Sequence, residues 1–393
     1  MAVIVFTLPF SHSVGVRNIA IGVALCAVTL GRRTLALAVR RIPLLWFFGL
    51  LAALGGLSLV WSLDPPYSLH ELKSELVNPF LVFALAFTVT RGWRVLGWLA
   101  LAAALATALS LVGPIGAWSD YAGATRSLFY NGAGFYSTWL VIVYPFALAA
   151  WLSPVLALRW RRLALALAVL VLIGGVLSLN RAFPVVVGVE TVILAGWDAL
   201  RRRSPSAYLR VGLAIIIAAA LLGGLAAIQK ERVTKSRASE QDVLTAMERD
   251  VRWALWRDAV DRIASNPWRG AGFGRGVLRH DLRKRHANAD LWHAHNTVLD
   301  YGLQMGVPGI ALILALFGAA LWHLARAYKT SDEALRPYLV AAMVMVVAFF
   351  LKNQTDDFFV RQPALSFWAA LGTILGMAAH AARKHAESAA APK

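Results

Sequence analysis

Runs of apolar residues, separated by short charged breaks, recur along almost the whole length of this chain. A hydrocarbon core of ~30 Å needs about 20 such residues in one helix. In lipid only a helix or a closed barrel satisfies its own backbone N–H and C=O groups. The expected fold is therefore an all-α polytopic membrane protein with about twelve transmembrane helices. The expected spans are 2–13, 16–31, 42–62, 76–90, 93–113, 133–152, 159–180, 182–199, 208–228, 296–326, 335–351 and 363–382. Pro9 and Arg17 interrupt the first two, and either can be a half-helix. Hydrophobic residues make up 59% of the chain and charged ones 15%, with a mean hydropathy of +0.62, values outside the soluble globular range. Three regions follow: 1–228 with nine membrane helices, a long polar loop region at 229–294 containing helical pattern, and 295–393 with three more helices and a tail.

Basic residues set the expected orientation. Clusters at Arg32, Arg33, Arg40 and Arg41, at Arg91 and Arg94, at Arg159, Arg161 and Arg162, at Arg201, Arg202, Arg203 and Arg210, at Arg326, Lys329 and Arg336, and at Arg383, Lys384 and Lys393 alternate with breaks carrying only Arg17, Lys73, Arg126, Arg181, Lys352 and Arg361. By the positive-inside rule both termini are cytoplasmic. The segment 229–294 then falls on the opposite side, where its nine acids and 14 bases do not enter the rule. The formal net charge of +18 is accounted for largely by anchoring next to anionic lipid, so no nucleic-acid partner is expected. The single cysteine, Cys26, rules out an internal disulfide. No cleavable signal peptide is expected, because Met1 to Leu8 lacks a basic start.

Within the polar segment, Val243, Leu244, Met247, Val251, Leu255 and Ala259 suit one face of an amphipathic helix over Glu240 to Ser265, which Asn266-Pro267 stops. Gly270, Gly272, Gly274 and Gly276 follow around Phe273. Such a turn either exposes N–H groups to a phosphate or redirects the chain over the membrane surface. It contains no P-loop lysine pattern.

Where polar chain gives way to the next apolar run stand His295-Asn296, then nine residues, then Gly306-x-x-Gly309. An ionisable group at a membrane edge is a functional candidate. His295 lies eleven positions before Gly306, so at ~100° per residue the two share nearly one helical face. Gly302-x-x-x-Gly306 would let that face approach a neighbour closely, and Pro308 would bend the helix.

This signature resembles that of the O-antigen ligase family, within the superfamily that also holds O-antigen polymerases and protein O-oligosaccharyltransferases. Ser178-Leu179-Asn180-Arg181 is similar to the family's Ser-x-Ser-Arg element, with Asn180 in place of serine. Arg252 four residues before Trp256, then Pro267 and the glycine turn, resembles its large periplasmic loop. Arg126 before Tyr130-Asn131 resembles its arginine and Pro-Asn element, with Tyr130 in place of proline. The resemblance implies a GT-C-like fold in a bacterial inner membrane with a periplasmic active site. It implies transfer of a glycan from undecaprenyl diphosphate to a sugar hydroxyl of lipid A-core, with inversion and without a metal or other cofactor.

Without a divalent cation, charge building on a departing diphosphate needs fixed cations, and the planar, permanently protonated guanidinium is suited to that. Arg181 and Arg252 are assigned that task, and His295 that of taking the acceptor's proton. Arg126, Asn131, Asn296, Asp356 and Asp357 are assigned to substrate binding.

Each assignment has a plainer counterpart. Arg181 suits an interfacial anchor, and Arg252 sits among Glu248, Arg249, Asp250, Arg257 and Asp258, as on a solvated helix face. Asn296 suits a helix cap. Asp356-Asp357 can orient an arginine, bind sugar hydroxyls or pair with Lys352 and Arg361. His293-x-His295 is half of a metal site on paper, but a two-residue spacing separates side chains on either regular element, so no metal is expected. Glu190, within an apolar run, calls for a buried arginine or a polar cavity. Of the 15 tryptophans most suit a membrane belt, while Trp253, Trp256, Trp268 and Trp292 suit glycan stacking.

The alternatives to a ligase are a polymerase with a second lipid-linked glycan as acceptor, and a transporter using helices broken near Pro9 and Pro184. A protein O-oligosaccharyltransferase is less expected, since the chain stops soon after its last helix.

Overall fold

The computed structural model describes residues 1–30, 42–111, 132–178, 180–235, 251–288 and 291–390. Fourteen α-helices and no strand occur among them. They are α1 (Ala2–Thr7), α2 (Val14–Leu30), α3 (Leu45–Ser58), α4 (Pro65–Val89), α5 (Trp93–Ser110), α6 (Ala133–Leu152) and α7 (Leu158–Leu177). Then come α8 (Ala182–Arg202), α9 (Pro205–Lys235), α10 (Val251–Ser265), α11 (Arg279–Arg285), α12 (Thr297–Thr330), α13 (Arg336–Lys352) and α14 (Arg361–Ala390). Eight are long and apolar enough to cross a membrane: α4 to α9, α12 and α14. Two shorter apolar helices, α2 and α3, accompany them. The chain is thus an all-helical polytopic membrane protein. Among the described residues four of the expected twelve spans are not matched by such a helix: α2, α3 and α13 are shorter, at 17, 14 and 17 residues, and in place of 2–13 stands α1, whose six residues at ~1.5 Å rise each reach only about 9 Å. Pro184, by contrast, leaves α8 unbroken, because it occupies the first turn where no intrahelical donor is lost.

The centre of the bundle is aromatic. Phe47, Phe83, Phe349, Phe367 and Trp368 are fully buried where α3, α4, α13 and α14 meet, and Phe349 stacks on Phe367 at 4.7 Å. Gly372 and Gly376 let α14 rest on the α4 backbone, since a Cβ there would lie 2.7 and 2.3 Å from the Phe83 and Phe87 carbonyls. In lipid such close contact replaces the hydrophobic driving force. Glu190 is fully buried on α8 and neither of its oxygens has a hydrogen-bond partner, so among the described residues no arginine pairs with it.

Following the chain from helix to helix sorts the two ends of the bundle. One end gathers Arg91 and Arg94 between α4 and α5, Arg159, Arg161 and Arg162 at the start of α7, Arg201 to Arg203 between α8 and α9, and Lys329 and Arg336 between α12 and α13. There Asp198, fully buried, binds Arg202 at 2.6 Å and Arg210 at 2.7 Å, tying α8 to α9. The other end gathers the starts of α4, α8, α12 and α14, the end of α13, and the polar segment.

That segment folds against the bundle. α10 begins at Val251, while the expected start of its amphipathic pattern, 240–250, lies outside the described residues. Leu255, Ala259 and Ile263 meet Leu278, Leu282, Ala294 and Leu303 in a small apolar core. The glycine turn then plugs into the bundle: Phe273 is fully buried against Gly55 and Leu72. Its backbone donors are consumed locally, Ala271 by the Leu303 carbonyl, Gly272 and Gly274 by the Gln304 carbonyl and side chain, Phe273 by Ser58 and Gly276 by Tyr67. The glycine N–H groups of this turn are thus engaged within the protein, as the chain-redirecting reading requires.

Candidate active site

His293-Ala294-His295 is strung between α11 and α12 by groups from three directions. Asn296 caps α12, its side-chain oxygen accepting from Val298 at 3.0 Å and Leu299 at 3.2 Å, while its amide donates to the Gln354 carbonyl at 3.3 Å. The capping role expected of it is therefore filled. Asp300, buried in the first turn of α12, accepts the Ala294 N–H at 2.7 Å and lies 3.0 Å from His293 Nδ1. Trp256 on α10 donates its indole N–H to the Ala294 carbonyl at 2.9 Å.

The backbone of His295 has φ +51°, in the left-handed region that non-glycine residues seldom occupy. This overturns the reason given above for separating the two imidazoles. Neither strand nor helix, the turn brings the His293 and His295 rings to 4.0 Å between centroids. It also removes His295 from the α12 helix, so the argument that it shares a helical face with Gly306 does not apply.

The loop between α13 and α14 faces this turn. Asp356 Oδ1 lies 2.9 Å from His295 Nδ1 and 3.7 Å from His293 Nε2. Burial pushes the Asp356 carboxyl up, but the His295 hydrogen bond, the two imidazoles and the Asp357 N–H outweigh it and hold the group well below the usual carboxylate range. Asp357 shifts the other way, raised by burial and by the Asp300 carboxylate. It serves structure: its carboxylate accepts the Phe359 N–H at 3.0 Å and the Thr297 hydroxyl at 2.7 Å, and its carbonyl accepts from Arg275 at 2.8 Å. Thr297 N–H bonds the Asn353 carbonyl at 2.9 Å, sewing this loop to the start of α12. Asp356 therefore meets a histidine, a partner not among the arginine, sugar hydroxyls, Lys352 and Arg361 expected of the pair.

His293, His295 and Asp356 offer ligand atoms within 4.8 Å of one another, two imidazole nitrogens and a carboxylate oxygen. Such a set is chemically able to hold a borderline cation.

Arg181 precedes α8 and is exposed at the same end of the bundle. Its neighbour Asn180 caps Ala182 and accepts 2.9 Å from Lys352 Nζ. Lys352 closes α13, four residues before Asp356, so the Arg181 turn abuts the loop that holds His295. Lys352 thus pairs with Asn180 rather than with the aspartates. Arg252, partly buried, lies one helical turn before Trp256, whose indole touches the histidine turn. Arg126 and Asn131 lie outside the described residues.

Sequence reasoning passed over Asp300, Arg275 and Gln304. An acid in the first turn of an apolar helix was the available signal for Asp300; the other two announce themselves only through their contacts. Among the tryptophans, Trp292 lies between Arg275 and His293 at 4.7 and 4.3 Å, and Trp256 is held to Ala294, so both serve the turn. Trp253 and Trp268 are 54% and 72% exposed, which leaves them the glycan-stacking candidates.

A family model described as O-antigen ligase matches residues 124–314, a stretch that takes in Arg181, Arg252, His295 and Asn296 but ends before Asp356 and Asp357. No curated protein matches the chain.

Proposed function

Through residues 124–314 the chain belongs to the O-antigen ligase family, and on that premise we propose that it transfers a glycan from undecaprenyl diphosphate to a sugar hydroxyl of lipid A-core at the periplasmic face of a bacterial inner membrane. The observation that carries this reading is the His295–Asp356 pair, at the bundle end away from the arginine clusters.

The carboxylate of Asp356 accepts the Nδ1 proton of His295, which leaves Nε2 with a lone pair. Nε2 takes the proton of the acceptor hydroxyl as its oxygen attacks the anomeric carbon. The bond to the diphosphate breaks with its electron pair leaving on the diphosphate oxygen. A single displacement of this kind inverts the anomeric centre. Arg181 and Arg252 supply fixed positive charge for the departing diphosphate, with Arg126 and Asn131 assigned to substrate binding. Donors preorganised where charge develops are typically worth about 10²-fold or more in rate.

Purified protein given undecaprenyl-diphosphate glycan and lipid A-core is expected to join them in the presence of EDTA. Strict dependence on an added divalent ion would move His293, His295 and Asp356 from proton transfer to metal binding. Turnover only between two polyprenyl-linked glycans would make the protein a polymerase, and solute flux into proteoliposomes with no covalent product would make it a transporter.

A further inference from the structure

We propose that a second site, lined by none of the residues of the histidine turn, binds the anionic phosphate headgroup of a membrane lipid in a cavity of about 340 Å³ between α2, α4 and α14. Arg17 and Asn18 line it from the first turn of α2, His70 and Asn78 from α4, and Arg361 and Gln362 from the first turn of α14. No acid is among the lining residues.

Arg17 is only 5% exposed, and its Nε and Nη1 have no hydrogen-bond partner. A buried guanidinium left in that state is costly unless an anion completes it. A second guanidinium, Arg361, lines the same cavity, and the one carboxyl that acts on it, Glu75 of α4, is not among the lining residues. Arg361 is also held at φ +47°, a strained backbone for a non-glycine residue and a kind of strain that clusters at binding sites. The Gln362 side-chain oxygen is buried without a donor, which suits a headgroup that carries hydroxyls beside its phosphate.

Position selects the lipid source over a free ion. α2 and α14 both begin at the bundle end that carries the polar segment, so their first turns lie at the level of the headgroups. Beside the cavity α2 turns Val16, Ile19 and Val23 outward, at 56%, 69% and 64% exposure, as a helix bordering lipid does. Arginine is matched to phosphate by its paired donors.

The test titrates delipidated full-length protein in neutral detergent with dioleoylphosphatidylglycerol, dioleoylphosphatidylcholine or inorganic phosphate, and reads bound lipid by native mass spectrometry and thermal shift. Phosphatidylglycerol is expected to bind best. Arg361→Gln, at an exposed position, and the isosteric Asn78→Asp should each weaken it about 10- to 100-fold, the value of a charge-assisted hydrogen bond. His295→Ala should leave it unchanged, which separates this site from the transfer reaction. Equal binding by wild type and both cavity variants would overturn the proposal. Equal binding of the zwitterionic lipid would remove the charge argument, and inorganic phosphate binding as tightly as the lipid would assign the cavity to a free ion.

Discussion

His295 sits in a left-handed backbone conformation that costs roughly 1–3 kcal/mol for a non-glycine residue. Three partners hold it there: Asn296 capping α12, Asp300 on Ala294, and Asp356 on the imidazole. Replacing the base, His295→Ala, should lower transfer about 10²- to 10⁴-fold while the protein still binds donor. Asp356→Asn should be severe for a different reason. An amide facing Nδ1 donates instead of accepting, so the imidazole proton moves to Nε2, a tautomer error that costs about 10⁴-fold beside the histidine of a hydrolase triad. Because Asp356 is held well below the usual carboxylate range, any stability it contributes is fully present above about pH 4 and is lost only as pH falls through that depressed value. The difference in melting temperature between Asp356→Asn and wild type should therefore narrow as pH falls below about 4, where the wild-type carboxylate takes up its proton. A base must be unprotonated to act, so pH–rate profiles should show an acid limb in wild type and lose it in a His295 variant with residual activity. Arg181→Lys and Arg252→Lys keep charge but lose the fork, and each should remain impaired about 10²-fold or more in turnover.

At the scale of elements, α12 is two helices joined at Gly306, whose φ of +70° and ψ of −157° break the run. A Cβ there would meet the Pro267 carbonyl at 2.2 Å, and the Val307 N–H donates to that same carbonyl. Gly306→Val should detach the Pro267 turn from α12, which limited proteolysis of the polar segment would report as faster cleavage. Phe273→Ala empties a fully buried pocket and should cost about 3–5 kcal/mol of the docking of this segment, read by the same assay. The close approach expected of the small residues was legible in their spacing, and Gly302 does meet Ile263 of α10. Its location was not, because a spacing rule presumes one continuous helix and assigns the bend to Pro308. The glycine turn misled in the same way: composition alone cannot tell whether its N–H groups face a ligand or Gln304.

Across the whole molecule, the arginine clusters among the described residues and the histidine turn occupy opposite ends of the bundle, as the charge alternation implied; Arg32, Arg33, Arg40 and Arg41 lie outside the described residues. Long apolar helices were readable because lipid requires continuous internal hydrogen bonding over a fixed length. The six-residue α1 was not readable, since apolar composition does not reveal where the chain turns. Likewise the candidate base was visible as a motif, while Asp356, 61 residues away, became its partner only through folding. Sidedness can be checked directly in a Cys26→Ser background. A membrane-impermeant maleimide should label Lys284→Cys on intact spheroplasts, and Lys329→Cys only after lysis. The joint at residue 306 carries a mechanical meaning as well. Held by the Val307 N–H on the Pro267 carbonyl, it gives the opening turns of α12 a direction of their own, apart from the long apolar stretch that follows. The histidine turn is thereby seated on a short rigid stem that the polar segment clasps, not on the end of one long membrane rod.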